Sequence, residues 1–198
     1  LKRGDVDVID RVSPAQALRL QNEIGGTIKI VPYALPTLHM LLPNYDKPYM
    51  QNELFRRAIL YGIMRQKTLD ELILKNHYVA GCEVVSGPFS PGISLDDPLS
   101  YAYNRSVVPR PYSPRLSVVL AKLAEQRMKE LAQQKEEEPP PIPELVIGYP
   151  AEDDAREACM AIEFQLEQLE IFQIKLIEFE AGKSVDETGE CHLVYTKL

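Results

Sequence analysis

The sequence has no tryptophan, few cations, and no apolar run of the about 20 residues that a membrane-spanning helix needs. It begins with leucine and contains no recognisable signal peptide or lipidation motif, so we expect any targeting signal to lie outside it. Its 22 lysines and arginines are outnumbered by 29 acidic residues, which gives a net charge of −7. Phosphate backbones and anionic membrane surfaces attract clustered cations, so we expect neither as a partner.

Cysteine is also scarce, and Cys82, Cys159 and Cys191 do not have the spacing of a metal motif. One disulfide plus one thiol would suit an oxidising compartment, and the sequence does not decide whether Cys82 and Cys191 form such a disulfide. The sequence favours the alternative of three thiols that pack as small apolar groups. Cys159 in particular falls on an apolar helical stripe, where a buried thiol is common.

The sequence contains none of the residue patterns that catalysis or metal binding requires. The histidines are widely separated, and none has a second histidine or a carboxylate at helical ligand spacing; they are His39, His77 and His192. No nucleophile elbow and no glycine-rich phosphate loop occurs. The adjacent Asp153 and Asp154 fit the start of a helix, where carboxylates complement the macrodipole, better than an acid/base pair. We therefore predict no enzyme activity, no cofactor and no metal.

Local patterns in the first half of the chain predict short strands alternating with helices. Strand-like alternation marks Val6–Ile9 and Thr27–Tyr33, and a capping box at Ser13–Gln16 predicts a helix that runs to about Asn22. An apolar run follows at Leu38–Leu42, and helical spacing marks Asn52–Arg65. A second capping box at Thr68 predicts a short helix through Lys75.

The second half predicts a long helix and then a βαβ unit. The helix begins at Ser113-Pro114, and its pattern dissolves beyond Arg127 into an acidic, proline-rich insert at about 133–143. We interpret this insert as a solvated helix end and stiff linker rather than a partner-binding element. Beyond it, the predicted elements are a strand at Leu145–Tyr149, a helix from about Asp153 to Leu169, a strand at Ile171–Phe179 and a strand at Leu193–Tyr195. Strand, helix, strand favours a parallel, right-handed crossover.

The aromatic and polar run Tyr101-Ala102-Tyr103-Asn104-Arg105 lies in a long aperiodic segment. Tyrosine combines apolar area with a polar tip, and arginine binds carboxylates bidentately, so this run is a candidate for ligand recognition. The alternative is that these side chains merely anchor a long loop.

Four stretches together resemble one protein family. Gly4–Ile9 is similar to its G-x-x-D-V/I stretch, and Asn44 followed by Leu54–Arg65 is similar to an asparagine followed by v-R-x-A-i-x-y-A-i-D-R. Tyr112–Ala121 is similar to Y-d-P-x-k-A-k-x-L-L, and Tyr149–Phe172 to a helix–strand unit that opens on tyrosine and proline. In this order they resemble the family 5 extracellular solute-binding proteins, the dipeptide- and oligopeptide-binding components of ABC importers.

Three residues depart from the family pattern: Gly62 replaces alanine, Met64 replaces aspartate, and Glu170 replaces glycine. The family's ligand-anchoring acidic residue belongs to a W-x-x-D-y-x-D-P-like segment that would come just after Leu198. We therefore expect this chain to be a segment of a larger protein.

The resemblance implies an α/β fold, with residues 1–198 forming a single periplasmic-binding-protein-like lobe that has a mixed sheet flanked by helices. This would be the second of two lobes that close over a peptide or similar small solute and present it to an ABC permease. Residues that would face the ligand are His39, Asn44, Tyr101, Tyr103 and Arg105. The expected location is the periplasm or cell envelope, with a lipid anchor outside this sequence as the only link to the membrane. The alternative function is a non-transport interaction or scaffold domain that has kept the fold.

Overall fold

Four strands form one mixed sheet in the computed structural model, which describes residues 5–9, 12, 14–24, 28–31, 37–76, 82–89, 102–180 and 189–198. The strands are β1 (His39–Pro43), β2 (Leu145–Pro150), β3 (Ile174–Phe179) and β4 (Leu193–Lys197). The helices are α1 (Pro14–Ile24), α2 (Pro48–Gln51), α3 (Glu53–Gly62), α4 (Arg65–Lys67, continued by a π-helical turn at Thr68–Ile73), α5 (Pro114–Gln134) and α6 (Asp153–Glu167).

The strand order β1-β4-β2-β3 places the first and the last of the described strands side by side. β2 runs parallel to both β3 and β4, whereas β1 is antiparallel to β4, with His39 opposite Lys197 and Pro43 opposite Leu193. The parallel pairing of β2 with β3 across α6 confirms the predicted βαβ connection. The predicted α/β lobe with a mixed sheet is confirmed.

The core lies between the sheet and the helices, and Phe55 of α3 is at its centre. Its fully buried ring makes edge-to-face contacts with Tyr49 at 4.8 Å and with Phe172 at 5.8 Å between ring centroids. Such pairs contribute about 0.5–1.5 kcal/mol beyond the area that they bury. Asn52 fixes the start of α3, because its side chain accepts a hydrogen bond from Leu54 N and donates one to Ala124 O of α5.

Helix α3 packs closely against α5 and α6. The buried Ser117 hydroxyl donates to Ala58 O at 2.6 Å, which joins α5 to α3. The buried Gln165 of α6 accepts from Met64 N at 2.7 Å and donates to Thr68 Oγ1 at 3.3 Å. These bonds satisfy polar groups that would otherwise be buried without a partner, and they fix the chain immediately after α3.

The amino-terminal elements agree only in part with the prediction. The predicted helix is confirmed as α1. Residues 5–9 and 28–31 are not strands, so both strand predictions are wrong for these residues. The remaining positions of the second predicted strand lie outside the described residues. Val6 and Val8 are 49% and 80% exposed. Alternation indicates only a preference for extended backbone, and a strand also needs a neighbouring strand to satisfy its hydrogen bonds.

The predicted capping box at Thr68 is wrong. The helical segment already begins at Arg65, and Thr68 N donates to Met64 O within it. The Thr68 hydroxyl accepts from Gln165 of α6 instead of capping a backbone amide. A tertiary contact has therefore replaced the local bond that the capping pattern predicts.

Helix α5 continues beyond Arg127 to Gln134, further than its apolar pattern predicts. Side-chain pairs one turn apart support this extension: Lys129 with Glu125 at 2.7 Å and Gln126 with Glu130 at 3.1 Å. The helix ends where Glu136 adopts a left-handed φ of 56° and Glu137 N bonds back to Ala132 O, the pattern of a Schellman motif.

The predicted acidic insert is anchored at its proline-rich end. Glu136, Glu137 and Glu138 are exposed, whereas the Tyr49 hydroxyl donates to Pro140 O at 3.0 Å and Ile142 packs against the core. The insert therefore has a solvated acidic half and an anchored half.

The three cysteines, all of which lie in described segments, form no disulfide, so the Cys82–Cys191 bond is not formed. Cys159 is fully buried on α6, as its stripe predicts, and burial raises the pKa of its thiol to about 12. A thiol of this kind packs as an apolar group and is a poor nucleophile.

We expect Gly62→Ala to lower the free energy of unfolding by roughly 1–3 kcal/mol, because the added methyl group would have to displace the packed side chains of Leu166 and Leu169. An added Cβ would lie 2.7 Å from Leu166 Cδ2 and 2.9 Å from Leu169 Cδ1. Urea unfolding measures the change, and Gly87→Ala is the control, since a Cβ there meets nothing within 4 Å. Equal effects of the two substitutions would contradict the packing described for α3 and α6.

We expect Glu170→Gly to raise the free energy of unfolding by about 1 kcal/mol, because Glu170 has a left-handed φ of 57° just after α6. The solute-binding family that the sequence resembles has glycine at this position. Glu170→Ala separates the two explanations, since alanine removes the carboxylate but keeps the steric cost of positive φ. Thermal or urea unfolding that shows the same stabilisation for both variants would attribute the effect to charge.

Candidate functional site

A cluster of polar side chains lies where β2, β3 and β4 end and β1 begins. His39 opens β1 opposite Lys197 of β4, and a 2.5 Å hydrogen bond joins His39 Nδ1 to the hydroxyl of Tyr195. The two rings meet edge to face with centroids 5.9 Å apart. The antiparallel pairing of β1 and β4 therefore gives the imidazole its position.

Two carboxylates from the start of α6 complete this cluster. Lys197 Nζ contacts the Asp154 carboxylate at 2.6 Å and also bonds to Glu152. Glu152 is the residue before α6, and Asp154 is in its first turn, where negative charge also complements the helix macrodipole. We name the five residues the carboxyl-edge cluster: His39, Glu152, Asp154, Tyr195 and Lys197.

The surroundings of these groups set their charge states near neutral pH. Desolvation, followed by the charge of Lys197, lowers the pKa of His39, against the opposing effect of Asp154 and Glu152. Burial, followed by the charge of Asp154, raises the pKa of Tyr195. Neutral imidazole and neutral phenol therefore face each other. Tyr195 is buried and holds His39 in place, whereas the exposed His39 can exchange hydrogen bonds with a ligand.

The ion pair of the cluster is stabilised in its charged form. Burial lowers the pKa of Lys197, but the bonds to Asp154 and Glu152 outweigh it and raise the pKa overall. Burial likewise raises the pKa of Asp154, but the bond and charge of Lys197 hold it below its ordinary value. With two carboxylates against one ammonium, the acidic side of the cluster carries an excess negative charge.

Asn44, the second site residue predicted on this strand, lies at the opposite end of β1. Its side chain donates to Cys191 O at 3.1 Å and accepts from Asp46 N at 2.9 Å, so it holds the turn after the strand. Five residues of extended chain span about 17 Å, which separates Asn44 from His39. The structure does not bring these two predicted residues into one site, and the role of Asn44 in ligand binding stays a prediction.

The predicted run at 101–105 is described from residue 102 onwards, and Tyr101 lies outside the described residues. Tyr103 is half-buried and Arg105 exposed in a turn that Asn104 holds, since its side-chain oxygen accepts from Ser106 N at 3.0 Å. The chain that follows is anchored near the end of α3, where Arg65 donates to Arg110 O at 2.6 Å. A ligand-binding role for Tyr103 and Arg105 stays a prediction.

Four members of the carboxyl-edge cluster were not predicted as site residues. Asp154 was assigned only to the helix start, a position that the structure confirms. Tyr195 and Lys197 belong to a strand whose partner could not be identified from local sequence, because His39 is 156 residues away from Tyr195. The strand alternation of Leu193, Tyr195 and Lys197 was the only available signal.

Two further properties concern metals and membranes. Across the described ranges, no three histidine, cysteine, aspartate or glutamate side chains are grouped to hold a metal ion. No helix among the described residues has the length and apolar character to cross a membrane.

No protein-family model and no curated protein matches the sequence. Solved structures do match the fold. The substrate-binding protein CtaP of an ABC transporter from Listeria monocytogenes superposes with a TM-score of 0.70 at 11% identity over 94% of this chain and 34% of its own. NikZ from Campylobacter jejuni, solved with Ni(L-His), gives a TM-score of 0.69 at 12% identity over 94% of this chain and 34% of its own.

DppA from Helicobacter pylori, a periplasmic binding protein solved with the peptide STSA, gives a TM-score of 0.67 at 18% identity over the whole chain and 33% of its own. The chain thus spans about a third of the length of these proteins. Its fold is that of a portion of ABC-transporter substrate-binding proteins, as the sequence resemblance predicts.

We expect the free energy of unfolding to fall as pH decreases from about 7 to about 5. The pKa of His39 is lower in the folded chain than its ordinary value of 6.5, so the unfolded chain binds more protons in this range. His192, whose pKa burial and Lys47 lower, acts in the same direction. Asp154 contributes only in more acidic solution, since its pKa is lowered from 3.8.

Urea unfolding of His39→Gln at several pH values measures the contribution of His39. Glutamine can still accept the Tyr195 hydrogen bond but does not titrate, so the loss of stability on acidification should be smaller than in the unchanged chain. His192→Gln is the matched variant for the second histidine. An unchanged pH dependence in His39→Gln would contradict the desolvation described for this imidazole.

Proposed function

We propose that this chain is one lobe of a two-lobed solute-binding protein that captures a peptide or similar small solute for an ABC importer. The observation that carries the proposal is the structural match, which extends over 94% to 100% of this chain but only 33% to 34% of each substrate-binding protein. A lobe of this kind acts by burying its ligand against a second lobe, and hinge motion supplies the closed state. The proposed role is binding, without a chemical step.

We further propose that the carboxyl-edge cluster faces the ligand. In open α/β sheets, ligands bind outside the carboxyl ends of the parallel strands, which is where β2 and β4 lead to Glu152 and Lys197. The neutral and exposed His39, held by the buried Tyr195, offers a hydrogen bond, and the excess negative charge suits an ammonium group. A peptide with a free amino terminus has this chemistry.

A single lobe provides only part of the contacts of a closed site. We therefore expect the isolated chain to bind peptides more weakly than about 1 µM, although the same edge would be used. The partner permease, a periplasmic or cell-envelope location and a lipid anchor outside this sequence follow from the proposed function and are part of it.

We expect a short peptide with a free amino terminus, titrated to millimolar concentration, to shift the NMR signals of the carboxyl-edge cluster in a saturable manner. Its amino-acetylated form should bind several-fold more weakly, because acetylation removes the positive charge that the carboxylates attract. Glu152→Gln should reduce the difference between the two peptides. Glu71→Gln, which removes an exposed carboxylate paired with Lys67, is the control and should leave the difference unchanged.

The alternative function, an interaction or scaffold domain that has kept the fold, gives a different result in the same titration. It predicts no saturable shifts at the carboxyl edge with either peptide. That outcome would contradict the proposed solute capture, and binding much tighter than about 1 µM by the isolated chain would contradict the two-lobed site.

A further inference from the structure

Helix α5 has two apolar faces, of which only one is buried. Ser117, Leu120, Ala121 and Ala124 are buried on the face that packs against α3. Leu116, Val119 and Leu123 form a second row at spacings of three and four residues, and they are 37%, 52% and 46% exposed. Such spacing places the three side chains on one line along the helix. We name this line the α5 seam.

The α5 seam has the surface pattern of a helix that receives a second helix. Residues at alternating spacings of three and four form the contact row of paired helices, and the residues beside that row select the partner by charge. No other described helix or strand packs extensively against α5 besides α3. The seam therefore offers an apolar row without a helical neighbour in the described part of the chain.

The charges around the α5 seam are positive, although the chain as a whole carries −7. Arg115 and Lys122 lie beside the row, and Arg127 lies one turn beyond Leu123; all three are exposed. None of them forms an ion pair with another described residue. Glu125, the carboxylate among them, already pairs with Lys129 at 2.7 Å. The seam is thus an apolar row bordered by available cations.

This charge pattern selects among the occupants of the α5 seam. A second copy of α5 would bring its own cations against Arg115 and Lys122, and this repulsion opposes self-association. An anionic membrane would meet the cations favourably, but the net charge of −7 opposes approach, and the row has no tryptophan or phenylalanine to insert. A helix with an apolar row and acidic flanks satisfies both features.

We propose that the α5 seam docks an amphipathic helix of a partner protein, with leucine-type residues on its contact row and glutamate or aspartate beside it. Leu116, Val119 and Leu123 provide the apolar contact, and Arg115 and Lys122 select the acidic partner. The row is short, so the contact has the size of a transient interface. This docking does not depend on solute binding at the carboxyl edge.

A synthetic helical peptide with leucine at its contact positions and glutamate at its flanks tests the proposal by fluorescence anisotropy. The unchanged chain should bind it at least about tenfold more tightly than a matched peptide with lysine flanks, with affinity that falls as salt is added. Replacing both Val119 and Leu123 by serine should weaken binding about tenfold or more. The substitutions are at exposed positions and should leave the fold intact, which circular dichroism checks.

Two variants provide the controls. Leu131→Ser removes a leucine of similar exposure (42%) from the same helix, away from the row, and should change the affinity less than about twofold. Replacing Arg115 and Lys122 by glutamate should reverse the preference between the two peptides. The proposal is overturned if the chain binds both peptides equally or binds neither. It is also overturned if Leu131→Ser weakens binding as much as the seam variant, or if the chain prefers phosphatidylserine vesicles to the acidic peptide.

Discussion

The pairing of β1 with β4 is the constraint on which the candidate site depends. It joins His39–Pro43 to Leu193–Lys197, and backbone bonds between Leu38 and Leu198 extend it at one end. β4 also pairs with β2, so this one strand joins β1 to the βαβ unit. Without this pairing, the imidazole of His39 would have neither the Tyr195 hydroxyl nor the charged cluster at the start of α6 beside it.

The helical layer packs on the sheet over the apolar core, and a few close contacts fix the helices against one another. Gly62 lets α3 approach α6, and Gln165 and Ser117 provide buried hydrogen bonds at the same junction. The same layer leaves the outer face of α5 apolar and cationic. The structure thus separates two surfaces, one at the carboxyl ends of the strands and one along α5, which suit ligands of different kinds.

The sequence predicts the elements whose signals are local. The apolar stripe of α6 is buried, as its helical spacing predicts, because the spacing alone shows which face of an amphipathic helix packs on a sheet. Its residues are Ala155, Ala158, Cys159, Ile162 and Leu166. Contacts between distant residues could not be predicted. Thr68 has a local capping pattern, but its hydroxyl accepts a hydrogen bond from the distant Gln165. His39 contacts Tyr195 only because two strands that are far apart in the chain pair with each other.

The proposed solute site lies at the carboxyl edge of this lobe. A peptide that carries a nitroxide spin label tests it most directly, because the label broadens the NMR signals of nearby amides. We expect broadening concentrated at residues 38–40, 150–154 and 195–198, with little effect on Asn44 or on α5. Broadening centred on Asn44 and the turn that follows it, with the carboxyl edge unaffected, would contradict a solute site at the carboxyl edge.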